Sequence, residues 1–281
     1  MSNIHPTAII EPGARIGKNV TVGPYSVIYQ NVCLEDDVII KSHVCIDGYT
    51  VVGKGTVIWP QAVIGSKTQD LKYRGEKTFI NIGKKCEIRE CVTINSSCQE
   101  GSQVKIGDSC LLMAYCHIAH NCHLGNRVIL SNNATLAGHV IVEDCAVIGG
   151  LSAIHQFSRI GAYAMVGGMS RVPKDVLPYT IGAGSPYYVA ALNLVGLKRH
   201  GFSLDVRRQL SRAFRFIYRS GLSMQDALVR IQNELEPIEQ IQHIIEFCQT
   251  SRRGLIGTEG IRSRKNMRRW TFAPQEECLE T

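Results

Sequence analysis

Residues 106–124 read Ile106-Gly107-Asp108-Ser109-Cys110-Leu111-Leu112-Met113-Ala114-Tyr115-Cys116-His117-Ile118-Ala119-His120-Asn121-Cys122-His123-Leu124. An aliphatic residue recurs every six positions (Ile106, Leu112, Ile118, Leu124), and a small one stands four residues after it (Cys110, Cys116, Cys122). The pattern extends both ways. Towards the N-terminus the same register holds at Ile94, Ile88 and Ile82, and again from Ile64 back through Ile58, Val52, Ile46, Ile40, Leu34, Ile28, Val22, Ile16 and Ile10 to Ile4. Towards the C-terminus it runs through Leu130, Leu136, Val142, Ile148, Ile154, Ile160 and Val166 to Val172. Every one of these positions is aliphatic.

A period of six is not helical. It fits a short strand and a turn forming one edge of a coil. The aliphatic side chain points inward, and the small residue packs near the corner. Glycine often follows the aliphatic position, as at Gly107, Gly125 and Gly149, and is expected to permit turn dihedrals that a Cβ disfavours. Three edges close a triangular coil of 18 residues. Successive coils stack about 4.8 Å apart and pair their backbones. The fold class is therefore all-β, a parallel β-helix of hexapeptide repeats over residues 1–180. Two polar excursions break the register, Ser66 to Thr78 and Ser96 to Val104, and functional residues concentrate on such loops.

After Pro178 the repeat stops. Residues 181–255 read as a C-terminal α-helical cap. Tyr187 to Arg199 has helical spacing, and Ser203 caps a helix to about Arg219 that Gly221 stops. Ser223 with Asp226 resembles a capping box, and Pro237 can start a last helix reaching Cys248. Residues 256–281 are expected to form a flexible basic tail. Between Ser251 and Arg269 stand seven basic side chains against Glu259 alone, a net of +6 out of the chain's +7. This reads as a solvated tail or as attraction to an acidic partner. No run approaches the ~18 apolar residues of a membrane span. The start, Met1 to Pro6, lacks the basic and apolar stretches of a secretory signal, so the expected location is cytoplasmic. Eleven cysteines would suit an oxidised, secreted protein. However, Cys86, Cys110, Cys116 and Cys122 take the small-residue position, where a free thiol acts as a small hydrophobe. Spacings of six put them on different edges, so neither pairing nor a shared metal is expected.

In an 18-residue coil, residues 18 apart stack. His120, Gly138 and Gln156 form one column, flanked by Asn121, His139 and Phe157 on one side and by Ala119, Ala137 and His155 on the other. His120, His139, His155 and Gln156 therefore share a patch, with His117 near its corner. Histidine is the natural general base near neutral pH. A second strip stacks Asn132, Gly150 and Gly168 beside Ser131, Gly149 and Gly167. It suits close subunit packing or a slot for a thin ligand such as a hydrocarbon chain. Two alternatives are weaker. A carbonic-anhydrase-like zinc site drawn from His117, His120, His123 and His139 is disfavoured because His117 and His123 lie on neighbouring edges. A structural β-helix without chemistry does not explain the polar patch.

Several strings go beyond a bare repeat: Asn3-Ile4-His5-Pro6-Thr7-Ala8-Ile9, Gln69-Asp70-Leu71-Lys72-Tyr73, His117-Ile118-Ala119-His120, Asn132 to His139, His155-Gln156-Phe157 and Gly196-Leu197-Lys198-Arg199. With them, residues 3 to about 255 resemble the UDP-N-acetylglucosamine acyltransferases of lipid A biosynthesis. The resemblance implies a left-handed coil and a cytoplasmic homotrimer with sites between subunits. It implies acyl carrier protein as donor, the chain riding on its phosphopantetheine, with no cofactor or metal of the enzyme's own and no nucleic acid partner. The acceptor would be the glucosamine 3-hydroxyl of UDP-N-acetylglucosamine, a 3-amino sugar being the alternative. A sister enzyme that N-acylates glucosamine carries a uridine-binding domain ahead of its coil, whereas here the repeat begins at residue 4. The catalytic residues implied are His120 as general base and the Gly138 N–H as oxyanion donor. Asp70, His117, His139 and Gln156 would hold the sugar and phosphates. Lys72, His155, Asn193 and Arg199 would support the nucleotide or the phosphopantetheine. Gly168 would set acyl length, with room for a long chain. The chain departs from the family pattern at Asn121, where an aspartate is expected, at Val195 for a glutamate, and at His200 for an arginine.

Overall fold

The computed structural model describes residues 2–258. The chain winds as a left-handed parallel β-helix. Among the described residues its short strands form three sheets of eleven, nine and eight strands. Within the coil each strand pairs in parallel with the strand one turn on. The 18-residue register is unbroken from Ile106: His117 pairs with Thr135 and then Ala153, and His123 with Ile141 and then Arg159. Both inward positions are sealed. From Val22 onward the aliphatic column is buried, as are Cys110, Cys116, Cys122, Val128 and Ala134. Ile4 remains 41% exposed because no coil covers the first turn.

The glycines have a different cause from the one expected. Gly107 does not have a positive φ. A Cβ there would lie 2.5 Å from the carbonyl carbon of Gly125 on the next coil, so glycine permits close stacking instead. The left-handed backbone falls on the third residue after the inward aliphatic one: Asn121 (φ 58°), Arg127 (54°), Asn133 (61°) and His139 (60°). Each costs roughly 1–2 kcal/mol against a relaxed backbone. The inward side chains on either side of the corner pin it there. Gly65, with φ +84°, is an exception among the following glycines.

The ten described cysteines are free thiols. Their distribution needs one correction. Cys86 and Cys110 lie on the same edge, because their strands Glu87–Ile88 and Leu111–Leu112 pair directly. The excursion between them adds six residues, which restores the register over 24. The C-terminal part also differs from expectation over Tyr187 to Arg199. Tyr188–Leu192 is a strand, antiparallel to Thr180–Ala183 with a bulge, and completes the eleven-stranded sheet. Only Leu194–Arg199 (α1) is helical, capped by Asn193. The apolar run is a partly buried strand, which periodicity alone cannot separate from a helix. The remaining helices follow the capping signals: Leu204–Arg219 (α2) from Ser203, Met224–Glu234 (α3) from Ser223, and Glu239–Gln249 (α4). The last has no side-chain cap. No described helix is long and apolar enough to cross a membrane. Of the basic tail expected over 256–281, residues from 259 on lie outside the described residues.

A polar network ties α4 to the coil. His243 Nε2 lies 2.9 Å from Glu143 Oε2, Tyr179 Oη 2.9 Å from His243 Nδ1, and Arg159 Nη2 3.2 Å from Glu143 Oε1. Burial pushes the Glu143 carboxyl up. The bond to His243, the His243 charge, the Ala162 N–H and Arg159 outweigh it and hold the group below the ordinary glutamate value. A depressed carboxyl stabilises the fold above its unfolded value and loses that contribution as pH falls through its folded value. Glu143→Gln, which cannot titrate, is therefore expected to flatten the acid limb of the unfolding midpoint against pH. Parallel profiles for the two proteins would contradict the linkage.

Candidate active site

The turn Ala119-His120-Asn121 joins the strands His117–Ile118 and His123–Leu124. Ile118 and Cys122 are fully buried on either side, which thrusts the three residues out at one corner. The arithmetic column is real: His139 N donates to His120 O (3.0 Å) and Phe157 N to Gly138 O (3.1 Å). The His120 ring lies over Gly138. A Cβ at Gly138 would come within 2.3 Å of the imidazole Cε1 and Nε2. The His139 ring meets His120 edge-on at 5.1 Å and stacks on Phe157 at 4.6 Å.

The N–H of the residue two after the inward aliphatic donates no ladder bond in this turn. Pro6, Pro12, Pro24 and Pro60 occupy that position elsewhere in the coil, where the missing N–H costs nothing. His120, Gly138 and Gln156 stand there too. Among the described residues the Gly138 N–H donates to no backbone carbonyl, and no side chain of its own covers it.

The two excursions close over this corner. Loop 67–78 brings Asp70, whose Oδ2 is 3.8 Å from His120 Nε2. The Lys72 N–H, 2.9 Å from Asp70 Oδ1, is the main influence holding that carboxyl below its usual range, against partial burial, and His120 adds to it. Loop 96–102 brings Cys98 and Ser97. Cys98 Sγ lies 3.4 Å from His120 Nδ1 and donates to Asn121 Oδ1 at 3.1 Å, and Ser97 Oγ accepts from Asn121 N. Asn121 Oδ1 is itself 3.0 Å from His120 Nδ1. An amide oxygen carries no proton, so this bond puts the imidazole proton on Nδ1 and leaves the Nε2 lone pair free. Asn121 thus does geometrically what an aspartate would do, without the charge. Burial, and then the charge of Asp70, push the Cys98 thiol up.

The other expected residues are spread more widely. His117 points outward from its strand with Nδ1 2.7 Å from Thr93 Oγ1, and burial lowers its pKa. Burial also lowers that of His139, and His120 adds to the effect. Gln156 is one coil beyond Gly138. His155 is exposed beside it, its Nδ1 bonded to the Gln156 carbonyl at 3.1 Å. His155 is absent from the ring contacts that join His120, His139 and Phe157. Lys72 is exposed. Asn193 bonds to the Tyr163 carbonyl at the next corner of the triangle, and Arg199 is exposed at the end of α1. Within one chain these two residues are not part of the His120 cluster. Gly168 is on the third corner, exposed, where a Cβ would approach Gly150 O at 3.2 Å. Residues that sequence reasoning missed are Cys98 and Ser97, which fall where the register is broken. Of the histidines considered for zinc, His117 and His123 sit on different sheets.

A groove of about 950 Å³ runs from Asn121 and His139 past His123 and Arg159 to Arg252 and Arg253. Its far end is cationic. Asp175, buried beneath, is committed to Ser251 Oγ (2.7 Å) and the Arg159 N–H (2.9 Å).

Residues 175–256 match the family model described as UDP N-acetylglucosamine O-acyltransferase, domain 2. Residues 13–48 and 103–138 match the model for bacterial transferase hexapeptide repeats. The chain is 56% identical over 256 residues to the acyl-[acyl-carrier-protein]–UDP-N-acetylglucosamine O-acyltransferase of Chlamydia caviae, covering 91% of this chain and 92% of that one. The Chlamydia pneumoniae protein of the same name is 53% identical over the same shares. The crystal structure of a UDP-N-acetylglucosamine acyltransferase from Bacteroides fragilis superposes with a TM-score of 0.88 at 38% identity, over 90% of this chain and 99% of that one. The Campylobacter jejuni enzyme gives 0.86 at 37%, over 91% and 99%.

Proposed function

Since the chain belongs to the UDP-N-acetylglucosamine O-acyltransferase family, we propose that it moves a long (3-hydroxy)acyl chain from acyl carrier protein to the glucosamine 3-hydroxyl of UDP-N-acetylglucosamine, the first step of lipid A biosynthesis. The observation that carries the mechanism is the His120 ring, tied at Nδ1 to Asn121 and packed against Gly138, whose N–H donates to no backbone carbonyl. His120 Nε2 takes the proton of the 3-hydroxyl as its oxygen attacks the thioester carbonyl carbon. The C–O bond forms, the carbonyl electron pair moves onto oxygen, and the Gly138 N–H stabilises that oxyanion. Collapse breaks the C–S bond, and the imidazolium returns its proton to the departing phosphopantetheine thiolate. No cofactor or metal of the protein's own takes part.

Asp70, beside Nε2, favours the imidazolium as it forms and, with His117, His139 and Gln156, holds the sugar and its phosphates. Lys72, His155, Asn193 and Arg199 support the nucleotide or the phosphopantetheine. Because Asn193 and Arg199 stand away from His120 in one chain, the reading includes a homotrimer with sites between subunits. Gly168 leaves room for a long acyl chain. In this reading the coil over 1–180 carries the chemistry, the helical unit over 181–255 caps its end, and the protein works in the cytoplasm.

Purified full-length chain is expected to release one carrier thiol per acyl group transferred from acyl–acyl carrier protein to UDP-N-acetylglucosamine. Asp70→Asn is expected to raise the KM for the sugar nucleotide and lower kcat. Folded, trimeric protein that transfers no acyl chain of any length would overturn the proposal.

A further inference from the structure

We infer that Cys98, His120 and His139 form an inhibitory binding site for a soft divalent cation, with zinc as the best fit. One ligand atom from each of the three lies within 4.8 Å of the others, and this is the only such group among the described residues. One thiolate and two imidazoles are a set that zinc favours. Cys98 Sγ and His120 Nδ1 are already 3.4 Å apart, close to the roughly 3.4–3.7 Å edge of a tetrahedron with ~2.0–2.3 Å bonds. A fourth position is available to water or to Asp70, whose Oδ2 lies 3.8 Å from His120 Nε2. The thiol is buried, which suits a soft ligand more than a solvated one.

Binding would exchange hydrogen bonds for coordinate ones. The Cys98 S–H and the His120 Nδ1–H both converge on Asn121 Oδ1. As the metal–sulfur bond forms, the thiol proton leaves to solvent. If the metal takes Nδ1 of His120, the proton there moves to Nε2. If it takes Nε2, it occupies the lone pair itself. Either way Nε2 can no longer accept the proton of a sugar hydroxyl. The metal affinity is independent of the proposed mechanism, whereas the inhibition rests on His120 being the base.

The test uses full-length protein under reducing conditions. Titration with cobalt(II) should develop a thiolate-to-cobalt charge-transfer band that saturates near one equivalent per chain and is displaced by zinc. Cys98→Ala should abolish the band, and His139→Ala should weaken binding at least about tenfold. In parallel, the zinc concentration that halves acyl transfer, measured against each variant's own metal-free rate, should rise at least about tenfold in Cys98→Ala. No band, or the same band in Cys98→Ala, overturns the site. A band that Cys98→Ala removes, with turnover insensitive to the metal, overturns the inhibition and with it the assignment of His120 as base.

Discussion

His120→Ala is expected to lower kcat by about 10²–10⁴-fold, the usual contribution of a positioned general base, while the coil stays folded. The His120 side chain keeps 12% of its surface exposed, yet it contributes nothing to the aliphatic column. The turn is held by Ile118 and Cys122, which are fully buried, and by the Asn121 N–H on Ser97 Oγ. Removing the imidazole therefore leaves the scaffold intact. What is lost is the one nitrogen whose lone pair is freed by a bond at the other end of the ring. Steady-state transfer assays and a thermal unfolding curve on the same preparation separate the two effects. Turnover within about tenfold of the parent, with normal unfolding, would rule out His120 as the base.

Gly138→Ala should come close behind, at about 10²–10³-fold in kcat, on the scale of losing one oxyanion donor. The reason is steric and local. Gly138 does not have a positive φ, so alanine imposes no backbone strain. Its Cβ, however, would stand 2.3 Å from the His120 ring, a distance that real contacts do not show. The ring has to swing away, losing its bond to Asn121 and its place beside Gly138. Folded Gly138→Ala with kcat within about tenfold of the parent would mean that the His120–Gly138 contact has no catalytic weight.

Much of this was legible in the linear chain. A strict period of six, with aliphatic and small residues at fixed offsets, leaves little freedom in how the backbone is wound. Multiplying it by three placed His120 over Gly138 and beside His139, and the backbone bonds between those residues follow that column. The helical caps at Ser203 and Ser223 were equally clear, because a capping side chain acts within three residues. Misreadings came where two causes share one signal. Glycine after the aliphatic residue serves the approach of the next coil, since any Cβ at Gly107 meets Gly125. The apolar run Tyr188–Leu192 answers to the open edge of a sheet, not to a helical face.

By itself, then, the amino-acid sequence determined the coil, its register and the column that carries His120, because each is set by side-chain volume and spacing repeated along the chain. Tertiary structure alone decided what surrounds that histidine. Asp70 and Cys98 come from excursions outside the register, so no arithmetic of sixes reaches them. Their distances to His120 depend on how two loops fold back over one corner. The same holds for the proton: Asn121 Oδ1 fixes it on Nδ1 only because a left-handed turn at Asn121 aims the amide at its neighbour's ring. Periodic contacts repeat and can be counted in advance, whereas contacts made once must be located in space.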